Sequence, residues 1–263
     1  MQEQATALVM AGKRSGTLDP LAAAANVSQK SVVPVAGKPM IEHVIAALAA
    51  CERIGAIRIV AHEADEIRAI PLVGRLEREG RLSFRAGAFN LVDSVFSGAE
   101  GAAFPLVITT ADNCLVTPEG YAEFVEKCLA ARADAAAALA RKEDVIAADP
   151  EGQKKFYEFT DGGYSNCNTY WIGNEAALSA AEIMRSGGQF VKYPGRIAKA
   201  FGVLNLARFY FGWGDKDRLF AQISRRFGYK LAPIVLSNGE YAIDVDEPRS
   251  HRITEKLLAA RTA

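Results

Sequence analysis

The chain is poor in the residues that build disulfide frameworks and zinc centres. Among its 263 residues are four cysteines, Cys51, Cys114, Cys128 and Cys167, with no C-x-x-C pair, and three histidines, none at zinc-ligand spacing. This argues against a structural zinc site and leaves free thiols in a reducing compartment as the simplest reading. Net charge is also missing. Lys and Arg number 31 and so do Asp and Glu, whereas a general nucleic-acid binder carries a basic surface. No window reaches the roughly eighteen uninterrupted apolar residues of a membrane span. The start, MQEQATALVMAGKRSG, has no basic n-region, apolar stretch or cleavage site. A cytoplasmic protein that does not span a membrane is the expectation. No internal repeat is visible. What is there is an ordinary globular mixture, 50% hydrophobic and 24% charged. It can bury a core as one domain, or as one domain with an elaboration.

Short apolar runs alternate with helical stretches in the first half. Ala5 to Met10, Ile57 to Ala61 and Leu106 to Thr110 read as buried strands. Met40 to Cys51, a polar stretch from Ala64 to Glu79, and Pro118 to Ala133 read as helices. That succession predicts a mainly parallel sheet covered on both faces, with ligands at the carboxyl ends of its strands. The second half is different. Lys155 to Thr160 and Asn168 to Gly173 read as antiparallel strands, and Glu175 to Arg185 as a helix. A strand at Leu231 to Leu236, another at Tyr241 to Val245 and a helix from Pro248 to Arg261 follow. Pro248 suits the first helical turn, where a missing N–H costs nothing.

The loop after the first strand, Ala11-Gly12-Lys13-Arg14-Ser15-Gly16, combines two glycines with two cations. Glycine lets backbone N–H groups approach a phosphate, and Lys or Arg neutralises its charge. The loop is neither a P-loop nor a dinucleotide fingerprint, and a solvated basic turn would have the same composition. Its context is KSVVPVAGKPM at Lys30 to Met40, leading into a helix. Together these segments resemble the amino-terminal signature of the nucleotidyltransferases of GT-A-like fold. That family includes molybdenum-cofactor guanylyltransferase, sugar-phosphate nucleotidyltransferases and the cytidylyltransferases of isoprenoid synthesis. Members read L-A-A/G-G-x-G-x-R and then K-x-L-x-P-V-x-G-K-P-M. The second half matches closely, while in the first Arg14 stands where the second glycine is usual and Gly16 comes two residues later.

Two more segments follow in the family's order. LVITT runs into Ala111-Asp112-Asn113, which resembles the strand ending in G-D-x-P, although Asn113-Cys114 departs from D-x-P. Ala242-Ile243-Asp244-Val245-Asp246-Glu247-Pro248 resembles the family's I-D-V/I-D/N/G-T-P-E-D segment. The resemblance implies Mg²⁺ on Asp112 with Asp244 and Asp246, Asp244 being the first choice for the second carboxylate. On strand alternation Asp244 and Asp246 would share a face. The alternative for Asp246 is capping the next helix, while Thr117 rather than Asp112 is placed to cap the helix at Pro118.

The resemblance further implies a nucleotide site of Met10, Ala11, Gly12, Lys13, Arg14, Gly16, Lys30, Lys38, Asn90, Ser94 and Ala111. Within it Lys30, Asp112 and Arg14 would be the catalytic group, and Asn166 and Asn168 would meet the acceptor. Ser94 reads equally as an ordinary helical serine, and the two asparagines as edge-strand amides. His43 and His62 read as structural.

Lys192 to Lys230 holds nine cations and two acids, a net charge of +7 in a neutral chain, interleaved with nine aromatics. Such a segment fits an anionic acceptor, an anionic membrane surface, a homodimer interface or an ordinary helical subdomain. Ile197 to Phe211 and Lys216 to Phe227 could each form an amphipathic helix.

The resemblance thus implies a single domain over residues 1–263 with a basic aromatic helical insertion at about 187–230. Its fold would be Rossmann-like, three-layer α/β/α, with a mostly parallel central sheet. The implied activity is Mg²⁺-dependent transfer of a nucleotidyl group from a nucleoside triphosphate, CTP marginally preferred, to a phosphorylated small-molecule acceptor. Two alternatives stay open: a GT-A-like glycosyltransferase using Asp244-Val245-Asp246 as a D-x-D pair, and a catalytically impaired regulatory or scaffold relative.

Overall fold

In chain order the strands are β1 (Ala5–Met10), β2 (Pro34–Val35), β3 (Lys38–Pro39), β4 (Ile54–Ala61), β5 (Leu82–Ala86), β6 (Leu106–Thr110), β7 (Ala135–Arg141), β8 (Tyr157–Phe159), β9 (Gly162–Ile172) and β10 (Leu231–Leu236). The helices are α1 (Pro20–Ala24), α2 (Met40–Ala50), α3 (Asp65–Arg68), α4 (Pro71–Arg78), α5 (Leu91–Ala99), α6 (Pro118–Ala131), α7 (Lys142–Ala148), α8 (Lys216–Phe227) and α9 (Pro248–Ala260). Among the described residues there are also three 3-10 segments, Lys30–Val32, Ala176–Ser186 and Gly239–Ala242. The computed structural model describes residues 3–12, 18–88, 90–186 and 214–261. Lys13, Arg14 and Gly16, and the helix expected at Ile197 to Phe211, lie outside the described residues.

The sheet runs β10-β7-β9-β6-β1-β4-β5, with β8 added to β9. β9 is antiparallel to β6 and β7, and the other neighbours in that path are parallel. β1 is buried along its whole length, as a central strand covered on both faces must be. Alternation along β1 sends Ala7 and Val9 to one core and Leu8 and Met10 to the other. The first core is closed by Ile41, Val44, Ile45 and Leu48 of α2, Tyr121 and Phe124 of α6, and Ile253 and Leu257 of α9. The second is closed by Val95 and Ala99 of α5 and by Ala177, Ala180 and Ala181. Each Val, Leu or Ile fully buried in these layers contributes about 1.5–3 kcal/mol. Among the described residues no helix is long and apolar enough to cross a membrane.

Several elements differ from the sequence expectation. The single helix expected from Ala64 to Glu79 is two, because Pro71 starts α4 and holds Ile70 in an extended conformation (φ −66°, ψ 123°). The helix expected at Glu175 to Arg185 is present at Ala176–Ser186 and is of the 3-10 kind. Its buried Ala177 and Ala180 are three apart, the period of that helix. Tyr241 to Val245 is not a strand: a 3-10 turn at Gly239–Ala242 passes into extended chain. Gly239 abuts the backbone of Asp144, which pins the turn against α7. β5 and β7 have no counterpart among the expected strands.

A third apolar cluster bears directly on function. Val33, Val35 and Met40 of the KSVVPVAGKPM segment are buried with Leu21, Ala22, Cys114 and Val245. The β2–β3 hairpin turns at Ala36 and Gly37, both at positive φ (47° and 79°). His43 Nε2 lies 2.8 Å from Val35 O and holds the hairpin, in keeping with a structural role.

Candidate active site

The carboxyl ends of β1 and β6 lie side by side, joined beyond the strands by a bond from Ala111 N–H to Met10 O at 3.1 Å. That register puts Met10 next to Ala111, while Ala11 N–H donates to Val60 O at 2.9 Å and Gly12 faces His62 on the β4 side. From the other side comes the chain before α9, where Val245 N–H donates to Asp112 O at 3.1 Å. Cys114 and Val245, buried in the third cluster, anchor the two acidic segments from behind. The result is a group of three carboxylates, Asp112, Asp244 and Asp246, each offering an oxygen within 4.8 Å of the others.

Lys30 bridges two members of this group. Its Nζ lies 2.6 Å from Asp112 Oδ2 and 2.6 Å from Asp246 Oδ1. Burial alone would lower its pKa, but the charges of Asp112 and Asp246 outweigh burial and hold the ammonium well above its ordinary value. Asp244 behaves oppositely. Burial, followed by the negative charges of Asp112 and Asp246, pushes its carboxyl up to about 8. Asp244 Oδ2 accepts from Asn168 Nδ2 at 3.0 Å. Asp112 Oδ1 is buried with no hydrogen-bond partner among the described residues. Such an orphaned carboxylate oxygen in an all-oxygen donor set fits a hard cation such as Mg²⁺.

The capping alternative for Asp246 is not what the structure has. α9 starts on a capping box of Glu247 and Ser250, and the Asp246 carboxylate faces Lys30. Thr117 caps α6 as expected, its hydroxyl accepting from Gly120 N–H at 3.2 Å. Asp244 and Asp246 converge without strand alternation; the bond to Asp112 O sets their path.

The asparagines sit where β9 bulges against β7, between the pairs Ala137↔Tyr170 and Leu139↔Asn166. Asn168 takes φ 48°, a left-handed conformation that asparagine tolerates better than most residues. Asn166 Nδ2 donates to Asn168 Oδ1 at 3.2 Å and to Tyr170 OH at 2.5 Å. The expected acceptor asparagines are therefore wired to Asp244, a link that sequence spacing did not reveal.

Other expected residues lie nearby in supporting positions or elsewhere. Asn90 caps α5, accepting from Asp93 N–H at 2.9 Å. Ser94 is buried and fixes the preceding loop, its Oγ accepting from Ala88 N–H at 2.9 Å. Lys38 is exposed and lines a separate groove of about 270 Å³ with Glu42, His43, Cys114, Thr117 and Arg261. The structure does not bring it into the carboxylate group.

A mostly parallel α/β sheet with an acidic group and a lysine at the ends of its central strands defines a nucleotidyltransferase of GT-A-like fold. Residues 7–201 match the MobA-like NTP transferase domain, and the chain belongs to that family. No curated protein matches it by sequence. Among solved structures it is similar to a hypothetical transferase from Thermus thermophilus, with TM-score 0.77 and 21% identity over 94% of this chain and 99% of that one. It also resembles 4-diphosphocytidyl-2C-methyl-D-erythritol synthase from Anaerococcus prevotii, with TM-score 0.57 and 10% identity over 98% and 96% of the two chains. A third is a CMP:2-keto-3-deoxy-manno-octonic acid synthetase complexed with CTP, with TM-score 0.59 and 10% identity over 99% and 100%. At these identities the structural likenesses speak for the fold.

Proposed function

We propose that the protein transfers a nucleoside monophosphate group from a nucleoside triphosphate to a phosphorylated small molecule, releasing pyrophosphate. The observation that carries this reading is the bridge from Lys30 to Asp112 and Asp246 beside the end of β1. CTP takes first place because two solved structures of the same fold carry cytidine nucleotides in their names.

Asp112, Asp244 and Asp246 would hold Mg²⁺, which when bound neutralises triphosphate charge. The chain's own groups do the rest by positioning and charge. Met10, Ala11, Gly12 and Ala111 border the nucleotide along the strand ends. Lys13, Arg14 and Gly16 belong to the loop that would take the β- and γ-phosphates. Lys30, released from the carboxylates, would bind an α-phosphate oxygen. An acceptor phosphate oxygen attacks the α-phosphorus, the bond to the bridging oxygen breaks, and pyrophosphate leaves with the electron pair. The acceptor oxygen is already ionised, so no protein base is required. Asn168 orients Asp244, and Asn166 borders the acceptor side.

Pyrophosphate release from CTP, GTP, UTP and ATP with a panel of phosphorylated acceptors tests the reading. At least one pair should turn over, and Asp112→Asn should lower its rate per folded molecule by about 10²-fold or more. No release from any pair, or a fully active Asp112→Asn variant in magnesium-buffered assays, would overturn it.

A further inference from the structure

Resting on the nucleotidyltransferase reading above, we propose that His62 is a specificity-determining residue whose Nδ1 accepts a hydrogen bond from the exocyclic amino group of the nucleobase. The layout of the sheet assigns the base to this side. The carboxylates and Lys30 gather at the end of β6, and the bulge of β9 with Asn166 and Asn168 lies beyond β6 in one direction. The other direction leads across β1 to the ends of β4 and β5. With the triphosphate held between β1 and β6, the nucleoside and the acceptor must take opposite sides. The nucleoside side is bordered by Gly12 after β1, His62 after β4 and Gly87 after β5.

His62 is exposed at this edge, and its two ring nitrogens have different surroundings. Nε2 lies 3.1 Å from Ala88 O, a group that only accepts, so in the neutral ring Nε2 carries the proton and Nδ1 is left as an acceptor. Nδ1 receives no hydrogen bond among the described residues. The adjoining backbone N–H groups of Gly87 and Ala88 are committed elsewhere: Gly87 N–H donates to Ala61 O at 2.8 Å and Ala88 N–H to Ser94 Oγ at 2.9 Å.

The missing side chains of two glycines face this same ring edge. A Cβ on Gly87 would lie 2.9 Å from His62 Nδ1, and one on Gly12 would lie 3.5 Å from Cε1 and 3.6 Å from Nδ1. A side chain at Gly87 would therefore cover the acceptor. With glycine there, a planar ligand edge can reach it. Cytosine, adenine and guanine each carry an exocyclic amine that can donate to such an acceptor. Uracil places a carbonyl oxygen where cytosine has its amine, so two acceptors would oppose one another. The geometry thus favours amino-bearing bases over uracil.

Two variants separate reading the base from holding the loop. His62→Asn keeps an acceptor near the Nδ1 position and loses the group that meets Ala88 O. His62→Gln keeps a donor near the Nε2 position and loses Nδ1. Equilibrium binding of CTP, ATP, GTP and UTP, each with Mg²⁺, is measured for wild type and both variants after their unliganded melting curves are compared. Wild type should bind its best amino-bearing triphosphate about tenfold more tightly than UTP, one hydrogen bond's worth of selectivity. His62→Asn should retain most of that ratio and His62→Gln should bring it close to one. A wild type that binds triphosphates with UTP as tight as the rest, or a His62→Gln that still selects against UTP, overturns the assignment while leaving the enzyme class standing. Binding of no triphosphate at all overturns the nucleotidyltransferase reading itself, and this assignment with it.

Discussion

Asn168 Nδ2 donates to Asp244 Oδ2 at 3.0 Å, so the bulged strand proposed to face the acceptor also orients a carboxylate of the acidic group. Groups that orient metal ligands in this way typically affect metal affinity by about 10–100-fold. The left-handed φ of 48° at Asn168 allows that role to be separated from backbone strain. Asn168→Gly removes the hydrogen bond and accepts the conformation, whereas Asn168→Ala removes the bond and adds about 1 kcal/mol of strain. Both variants should need about tenfold more Mg²⁺ for half-maximal turnover. In urea denaturation Asn168→Ala should be the less stable of the two. Wild-type Mg²⁺ dependence in both would remove Asn168 from the support of Asp244.

Lys30 occupies the space between carboxylates that a divalent ion would otherwise neutralise, 2.6 Å from each of two oxygens. Without added metal, Lys30→Met should lose about 2 kcal/mol of stability, the scale of charged hydrogen bonds given up. Mg²⁺ no longer competes with an ammonium in that variant, so the upward shift of its melting temperature on adding Mg²⁺ should exceed that of wild type. Turnover should fall by about 10²-fold or more if Lys30 makes the proposed contact to the α-phosphate. Equal stability and equal Mg²⁺ shifts in the two proteins would contradict the neutralising role.

Much of the fold was legible in the sequence because several elements are locally unambiguous. The apolar run Ala5–Met10 is β1, α2 and α6 follow their helical spacing, and Lys216–Phe227 is the helix expected within the basic segment. The carboxylates and Lys30 were legible from motifs in known order. The missed features depend on tertiary contacts. Ala135–Arg141 is rich in alanine, a poor strand former, and becomes β7 because β9 and β10 pair with it on both sides. The bond from Asn168 to Asp244 spans 76 residues of sequence, and no local pattern announces it. His62 reads as structural in the sequence, and its Nε2 does meet Ala88 O at 3.1 Å; the base contact proposed for Nδ1 depends on that tertiary engagement.

Acid stability should depend in part on Asp149, at the end of α7. Its carboxylate accepts from Lys256 Nζ at 2.9 Å and from Glu151 N–H at 2.9 Å. The bond to Lys256, and then that to Glu151 N–H, hold its pKa below the ordinary value of 3.8. A depressed carboxyl stabilises the folded chain fully above its unfolded value, and that contribution is lost as pH falls through the lower folded value. Lys256 is largely exposed, so the pair is worth about 1 kcal/mol at most. Asp149→Asn should therefore be slightly less stable than wild type at neutral pH, with the gap closing in acid below the ordinary carboxyl range. A gap that widens in acid would reverse the assigned sign.

The turn at Gly239 tests how closely the acidic segment is tied to the frame. A Cβ there would run into the backbone of Asp144, which cannot swing aside as a side chain could. Overpacking of this kind costs about 1–3 kcal/mol. Gly239→Ala should pay it by displacing the turn that leads through Ile243 to Asp244 and Asp246, so stability and turnover per folded molecule should both fall. Gly98→Ala is the control. Its Cβ would lie 2.7 Å from Val60 Cγ2 and 3.3 Å from Leu8 Cδ1, a conflict confined to side chains of the core under α5. That variant should lose stability on a similar scale and keep its turnover per folded molecule. If Gly239→Ala also kept full turnover, the acidic segment would be positioned by its bond to Asp112 O and the third apolar cluster alone, with no contribution from the turn on α7.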